Sequence, residues 1–157
     1  MSRIAPAASE SGDPLLLTPG PLTTSLTVKQ AMLHDWGSRD QAFITINREI
    51  RDRLPEICGA AATHVTVPMQ GSGTFAVEAM LTSLVPREGA VALLVNGAYG
   101  HRAKRILDIA GRRAVVLETS EDTAPDLAAL DRTLAADTGL GHVFAVHCET
   151  TSGILNP

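Results

Sequence analysis

Residues 90–117 read AVALLVNGAYGHRAKRILDIAGRRAVVL, and this stretch decides the fold. Ala90 to Val95 is an unbroken apolar run of strand length. Asn96 to Gly100 is a polar turn containing two glycines. His101 to Ala110 has the spacing of a helix, and Arg113 to Leu117 is a second strand-like run. A strand, a helix and a strand in close succession predict a right-handed βαβ unit with parallel strands.

The alternation continues in both directions. Downstream, Pro125 to Ala136 is expected to be a helix, with Pro125 in its favoured first position. His142 to His147 is then a strand that ends in the polar segment Cys148 to Gly153. Upstream, the short β-branched run His64 to Met69 predicts a strand. Gln70 to Thr74 follows as a glycine-rich turn, and Phe75 to Leu84 as a helix. Arg39 to Ala62 reads as a long helix, because Phe43, Ile46, Ile50, Leu54 and Ile57 recur at steps of three and four. Pro55 falls late in that run, and Gly59 is a plausible stop. Thr27 to Leu33 suits a short helix. Pro19-Gly20-Pro21 forces an extended bend, and residues 1–13 read as a disordered leader. The expected division is therefore a leader (1–13), an N-terminal segment with the long helix (14–62), and a partial α/β domain (63–157) with a mostly parallel sheet and helices on both faces. Leu155-Asn156-Pro157 falls where an α/β chain would begin its next helix, so the sequence reads as the front portion of a longer one.

Composition narrows the function. The 157 residues are 45% hydrophobic and 19% charged, as in a globular domain, and only 3% aromatic, so aliphatic residues must build the core. A net charge of -4 does not suit a nucleic-acid footprint. Arg102, Lys104 and Arg105 are spaced like the solvated face of a helix. Cys58 and Cys148 support neither a disulfide framework nor a metal site, and Cys58 is expected to be a small buried hydrophobe. Without a signal peptide or a long apolar run, a cytoplasmic protein away from membranes is the default.

In an open α/β sheet, ligands collect at the carboxyl ends of the strands. Three polar loops are expected there: 70–74, 96–100 and 148–153. In the first, Gly71 and Gly73 permit close backbone approach, Ser72 and Thr74 add hydroxyls, and the following helix presents its N-terminus. A phosphate cradle and a simple Ser or Thr helix cap both fit that pattern. The loop lacks the lysine of a Walker motif and the third glycine of a dinucleotide fingerprint. The second loop carries Tyr99, flanked by small residues and able to lie against a planar ligand or to pack in an interface. The third offers Glu149, Thr150, Thr151 and Ser152, which suit either a polar ligand edge or a turn that satisfies its own backbone. His147 and Cys148 point to opposite faces of a strand and make a poor base and nucleophile pair.

The strings LLLTPGPLTTS (15–25), VKQAMLHDWGSRD (28–40), QGSGTFAVEAML (70–81), NGAYGHR (96–102) and HCETTSGILNP (147–157) together resemble the class V aminotransferases, a family of fold type I pyridoxal phosphate enzymes. The narrower strings DWGSRD, QGSGTF and HCETTSG favour the branch that moves the amino group of 2-aminoethylphosphonate to pyruvate. Arg39 stands where that branch would have an aromatic, and Ser152 where it would have a threonine. The resemblance implies the first part of a fold type I large domain, pyridoxal 5'-phosphate as cofactor, small-molecule substrates and a homodimer. It implies that Ser72, Gly73 and Thr74 hold the cofactor phosphate and that Tyr99 stacks on its ring. It also implies that Thr150 or Thr151, with Thr150 preferred, approaches the ring oxygen, and that Thr18, Pro19, Gly20 and Pro21 line the substrate pocket. The family's cofactor-bearing lysine and ring-pairing aspartate match nothing here. Lys29 and Lys104 are the only lysines, and neither stands at that position, so the chain alone is expected to be inactive. The alternatives are an alanine- or serine-glyoxylate type of class V enzyme and a non-catalytic binding module.

Overall fold

A computed structural model describes residues 9–157. The chain divides into two compact units, one ending at Pro68 and the other beginning at Met69. No helix among the described residues is long and apolar enough to cross a membrane.

In the first unit, α1 (Leu26–Ala31) is capped by Ser25, whose hydroxyl accepts from the Val28 N–H at 3.4 Å. The long helix α2 spans Gln41–Ile57, shorter at both ends than its apolar period suggested, and keeps Pro55 in its last turn. It stops where expected: Gly59 takes φ +64, its N–H reaches the Glu56 carbonyl, and the Ala60 N–H reaches the Pro55 carbonyl. These two bonds satisfy carbonyls that the helix end would leave bare. Cys58, expected inside, is exposed, because the helix ends there. The expected strand 64–69 is also absent: the segment joins no ladder. β-branched residues favour extended backbone, but a strand also needs a neighbour to pair with, and Pro68 supplies no N–H.

The second unit is built on β1 (Ala90–Val95). This strand pairs in parallel with β2 (Arg113–Glu118) on one side and β3 (Leu140–Ala145) on the other, in the order β2-β1-β3. All six residues of β1 are buried, as a central strand covered on both faces requires. Alternation sorts them. Val91, Leu93 and Val95 join Leu81 of α3 (Gly73–Leu84) and Ala103 and Leu107 of α4 (Ala98–Ile109). Ala90 and Ala92 face the other way, with Leu130 and Leu134 of α5 (Leu127–Ala136) packed there. The chain passes from β1 through α4 to β2, then back across β1 through α5 to β3. That reversal puts α4 and α5 on opposite faces, as equal-handed crossovers demand. A short antiparallel hairpin, β4 (Cys148–Glu149) with β5 (Ile154–Leu155), follows β3.

Helix starts differ from the sequence reading. α3 and α4 begin two or three residues early, at Gly73 and Ala98, so part of each glycine-rich loop is helical first turn. Pro125 precedes the cap of α5 and is not its first helical residue. The cap is Asp126, whose carboxylate accepts from the Ala129 N–H at 2.9 Å. Asp126→Ala should therefore cost about 1 kcal/mol in a urea titration, and an unchanged midpoint would refute the cap. At the other end of α5, the Arg113 guanidinium hydrogen-bonds to Asp137 and holds its carboxyl below the ordinary value.

Candidate active site

The carboxyl ends of β1 and its neighbour β3 bring two of the three polar loops together. The third arrives at the start of α3, without a strand before it. Its turn depends on Gly71, which adopts φ +136, and a Cβ there would press on the Phe75 ring at 3.1 Å. Ser72 caps α3 by accepting from the Phe75 N–H at 3.3 Å, so the capping role is real. It does not use up the loop. The Ser72 hydroxyl can still donate, first-turn N–H groups have no partner inside a helix, and nothing stands within 4 Å of a Cβ built on Gly73. Open space in front of a helix N-terminus accepts an anion.

Tyr99 and Arg102 lie three residues apart on one face of α4. The Arg102 guanidinium sits over the Tyr99 ring, 5.0 Å from its centroid, and donates to Thr74 Oγ1 at 3.1 Å. One cation thus joins the N-terminal turns of α3 and α4. Arg102 is exposed, as expected for a solvated helix face, and has a specific partner there in Thr74. Lys104 fits that reading, paired with Asp108 at 2.6 Å. Tyr99 remains 38% exposed, leaving ring surface for a planar ligand.

The loop after β3 is organised by Glu149, which is completely buried. Its carboxylate accepts from the Tyr99 N–H at 3.1 Å, the Thr151 N–H at 3.3 Å and the Thr151 hydroxyl at 2.5 Å. Thr151 Oγ1 in turn accepts from the Ala98 N–H at 3.2 Å. Gly97 makes this approach possible, since a Cβ there would overlap the Glu149 carboxylate. The self-satisfied turn is present too: the Gly153 N–H and Ser152 hydroxyl both bond the Glu149 carbonyl.

Behind these loops, Asn96 and Asn156 exchange two side-chain hydrogen bonds at 2.8 and 3.1 Å. Asn96 also donates to the Thr123 carbonyl, and Asn156 to that of Val146. Both amides are 3% exposed and fully engaged.

Of the residues singled out in the sequence, Thr74, Tyr99 and Thr151 are linked through Arg102 and Glu149, with Ser72 and Gly73 adjoining Thr74. Thr150 is half-buried, and no side-chain hydrogen bond engages it. Thr18 to Pro21 belong to the first unit, where they are exposed and the Thr18 hydroxyl donates to the Pro21 carbonyl at 2.8 Å. The links that Arg102, Glu149, Asn96 and Asn156 make between loops were not expected from the sequence. For Arg102 the available signal was its three-residue step from Tyr99. For Glu149 it was a lone carboxylate at the end of an apolar strand.

No protein-family profile matches the chain. It is 52% identical over 147 residues to the 2-aminoethylphosphonate–pyruvate transaminase of Pseudomonas putida (strain W619), covering 94% of this chain and 40% of that protein. Against the same enzyme of Cupriavidus taiwanensis it is 53% identical over 145 residues, covering 92% and 38%. The chain thus spans about 40% of the length of the curated relatives it matches. Among solved structures, alanine–glyoxylate aminotransferase from Nostoc sp. superposes with TM-score 0.83 at 25% identity, over 100% of this chain and 40% of that one. Ureidoglycine–glyoxylate aminotransferase from Bacillus subtilis gives TM-score 0.81 at 27% identity, over 89% and 36%. The α/β architecture, with its parallel sheet between helices, is the one these aminotransferases share.

Proposed function

We propose, from the chain's kinship with the 2-aminoethylphosphonate–pyruvate transaminases, that it forms the phosphate- and ring-binding wall of a pyridoxal phosphate site in an enzyme of that activity. The observation that carries this reading is the Arg102 bridge. It places a cation, a helix N-terminus and an exposed aromatic face side by side, which is what an anionic group on a flat ring requires.

The residues fit such a group. Ser72, Gly73 and Thr74 would hold the phosphate through first-turn N–H groups and hydroxyls, with Arg102 balancing its charge. Tyr99 would lie against the ring. Because the Thr151 hydroxyl donates its hydrogen bond to Glu149, Thr150 is the threonine left with a hydroxyl free to donate to the ring oxygen. When bound, the cofactor supplies the carbonyl that exchanges for an amine and the electron sink that makes the exchange feasible. The protein's part is to bind, orient and exclude water. Neither lysine suits a covalent role: Lys104 is held by Asp108, and Lys29 by Asp13 at 3.1 Å and the Thr24 carbonyl at 2.6 Å. Assembly as a homodimer and lining of the substrate pocket by Thr18 to Pro21 rest on the family resemblance.

The complete polypeptide containing this chain is expected to convert 2-aminoethylphosphonate and pyruvate into phosphonoacetaldehyde and alanine, and the 157 residues alone to form no alanine. The structural neighbours at 25% and 27% identity act, by name, with glyoxylate. The relatives at 52% and 53% favour the phosphonate instead. Turnover with alanine or serine and glyoxylate, together with none on the phosphonate, would reverse that choice.

A further inference from the structure

We propose that Glu149 is a positioning residue for Tyr99, capping α4 from a loop 50 residues downstream and so fixing where the ring-binding aromatic stands. The inference rests on the reading of Tyr99 as the ring-binding residue. A helix start normally satisfies its first N–H groups with the side chain of its own cap residue. α4 cannot do this, because its cap is Gly97 and makes no side-chain bond. The missing acceptors come from the β4 loop. Thr151 Oγ1 takes the Ala98 N–H, and the Glu149 carboxylate takes that of Tyr99.

A fully buried carboxylate is a costly way to cap a helix. Glu149 enters no ion pair among the described residues. What offsets its burial is three converging donors and the positive end of α4. The arrangement has two effects on the site. The turn bearing Tyr99 is tied to the loop bearing Thr150, so the two ring-facing loops hold one spacing. The N-terminus of α4 is also filled by a fixed anion, which leaves the N-terminus of α3 as the place for a ligand's phosphate.

Tyr99 is the only tyrosine among these 157 residues, so this chain labelled with 15N-tyrosine shows a single labelled amide. In Glu149→Ala that amide is expected to exchange with solvent at least tenfold faster. Pyridoxal phosphate binding, titrated by NMR, should weaken at least tenfold, while inorganic phosphate binding stays within twofold. Glu149→Gln, of the same shape and still able to accept from the Tyr99 N–H, should recover pyridoxal phosphate binding to within threefold. Unchanged exchange of the Tyr99 amide in both variants would overturn the proposal. So would equal weakening of the two ligands, which marks a general structural defect. Failure of the unsubstituted chain to bind pyridoxal phosphate would instead sink the cofactor reading, with amide exchange still deciding whether Glu149 holds Tyr99.

Discussion

Leu93→Ala is expected to destabilise the protein by about 3–5 kcal/mol, a large share of the ~5–15 kcal/mol typical of a whole fold. Leu93 is 0% exposed at the centre of β1 and stands in register with Val116 of β2 and Phe144 of β3. Its face is shared with Leu81, Ala103 and Leu107, so two helices and two strands converge on one side chain. Truncation removes its burial and leaves a cavity that close-packed neighbours on both sides cannot fill. Ile109→Ala provides the contrast. Ile109 ends α4 with 79% of its surface exposed, and its loss should cost within about 0.5 kcal/mol. Urea unfolding followed by far-UV circular dichroism separates the two, and a Leu93→Ala effect below about 1 kcal/mol would show that β1 is not the centre of the core.

The second large effect is expected at the paired amides. Asn156→Leu strands the Asn96 carbonyl oxygen, one Asn96 N–H and the Val146 carbonyl in a site that is 3% exposed. Each buried group left unpaired costs about 1–3 kcal/mol, so the three together are expected to cost at least about 3 kcal/mol. Removing both partners is milder than twice that, because Asn96→Leu with Asn156→Leu leaves no amide facing another. A double-mutant cycle measures the difference. Strict additivity would show that the two side chains do not depend on each other.

These two sites differ in how far the sequence disclosed them. AVALLV is apolar at every position because β1 is covered on both faces, and that made the fold legible. The run at 64–69 is strand-like in its β-branched residues but has no neighbour to pair with, and local pattern carries no information about pairing. Sequence pattern alone puts the starts of α3 and α4 late, because glycine and small polar residues mark turns and first helical turns alike. Within the site, the residues proposed to face a ligand stand out in the sequence as Ser, Gly, Thr and Tyr in glycine-rich loops. The residues that hold those loops together were not. Arg102 shares its helix with Lys104, which pairs with Asp108 on the same helix, and only the contact with Thr74, 28 residues away, separates their roles. Glu149 and Asn156 act on partners 50 and 60 residues distant, a range that motif and period do not reach.

The amide pair also sets an order of events during synthesis. Asn96 emerges from the ribosome 60 residues ahead of its partner, about 3–12 s earlier at ordinary elongation rates. Throughout that interval β1 and α4 can form, but the turn carrying Tyr99 waits for the segment that will hold it. Ligand capture by the nascent chain should therefore begin only after residue 156 has cleared the exit tunnel.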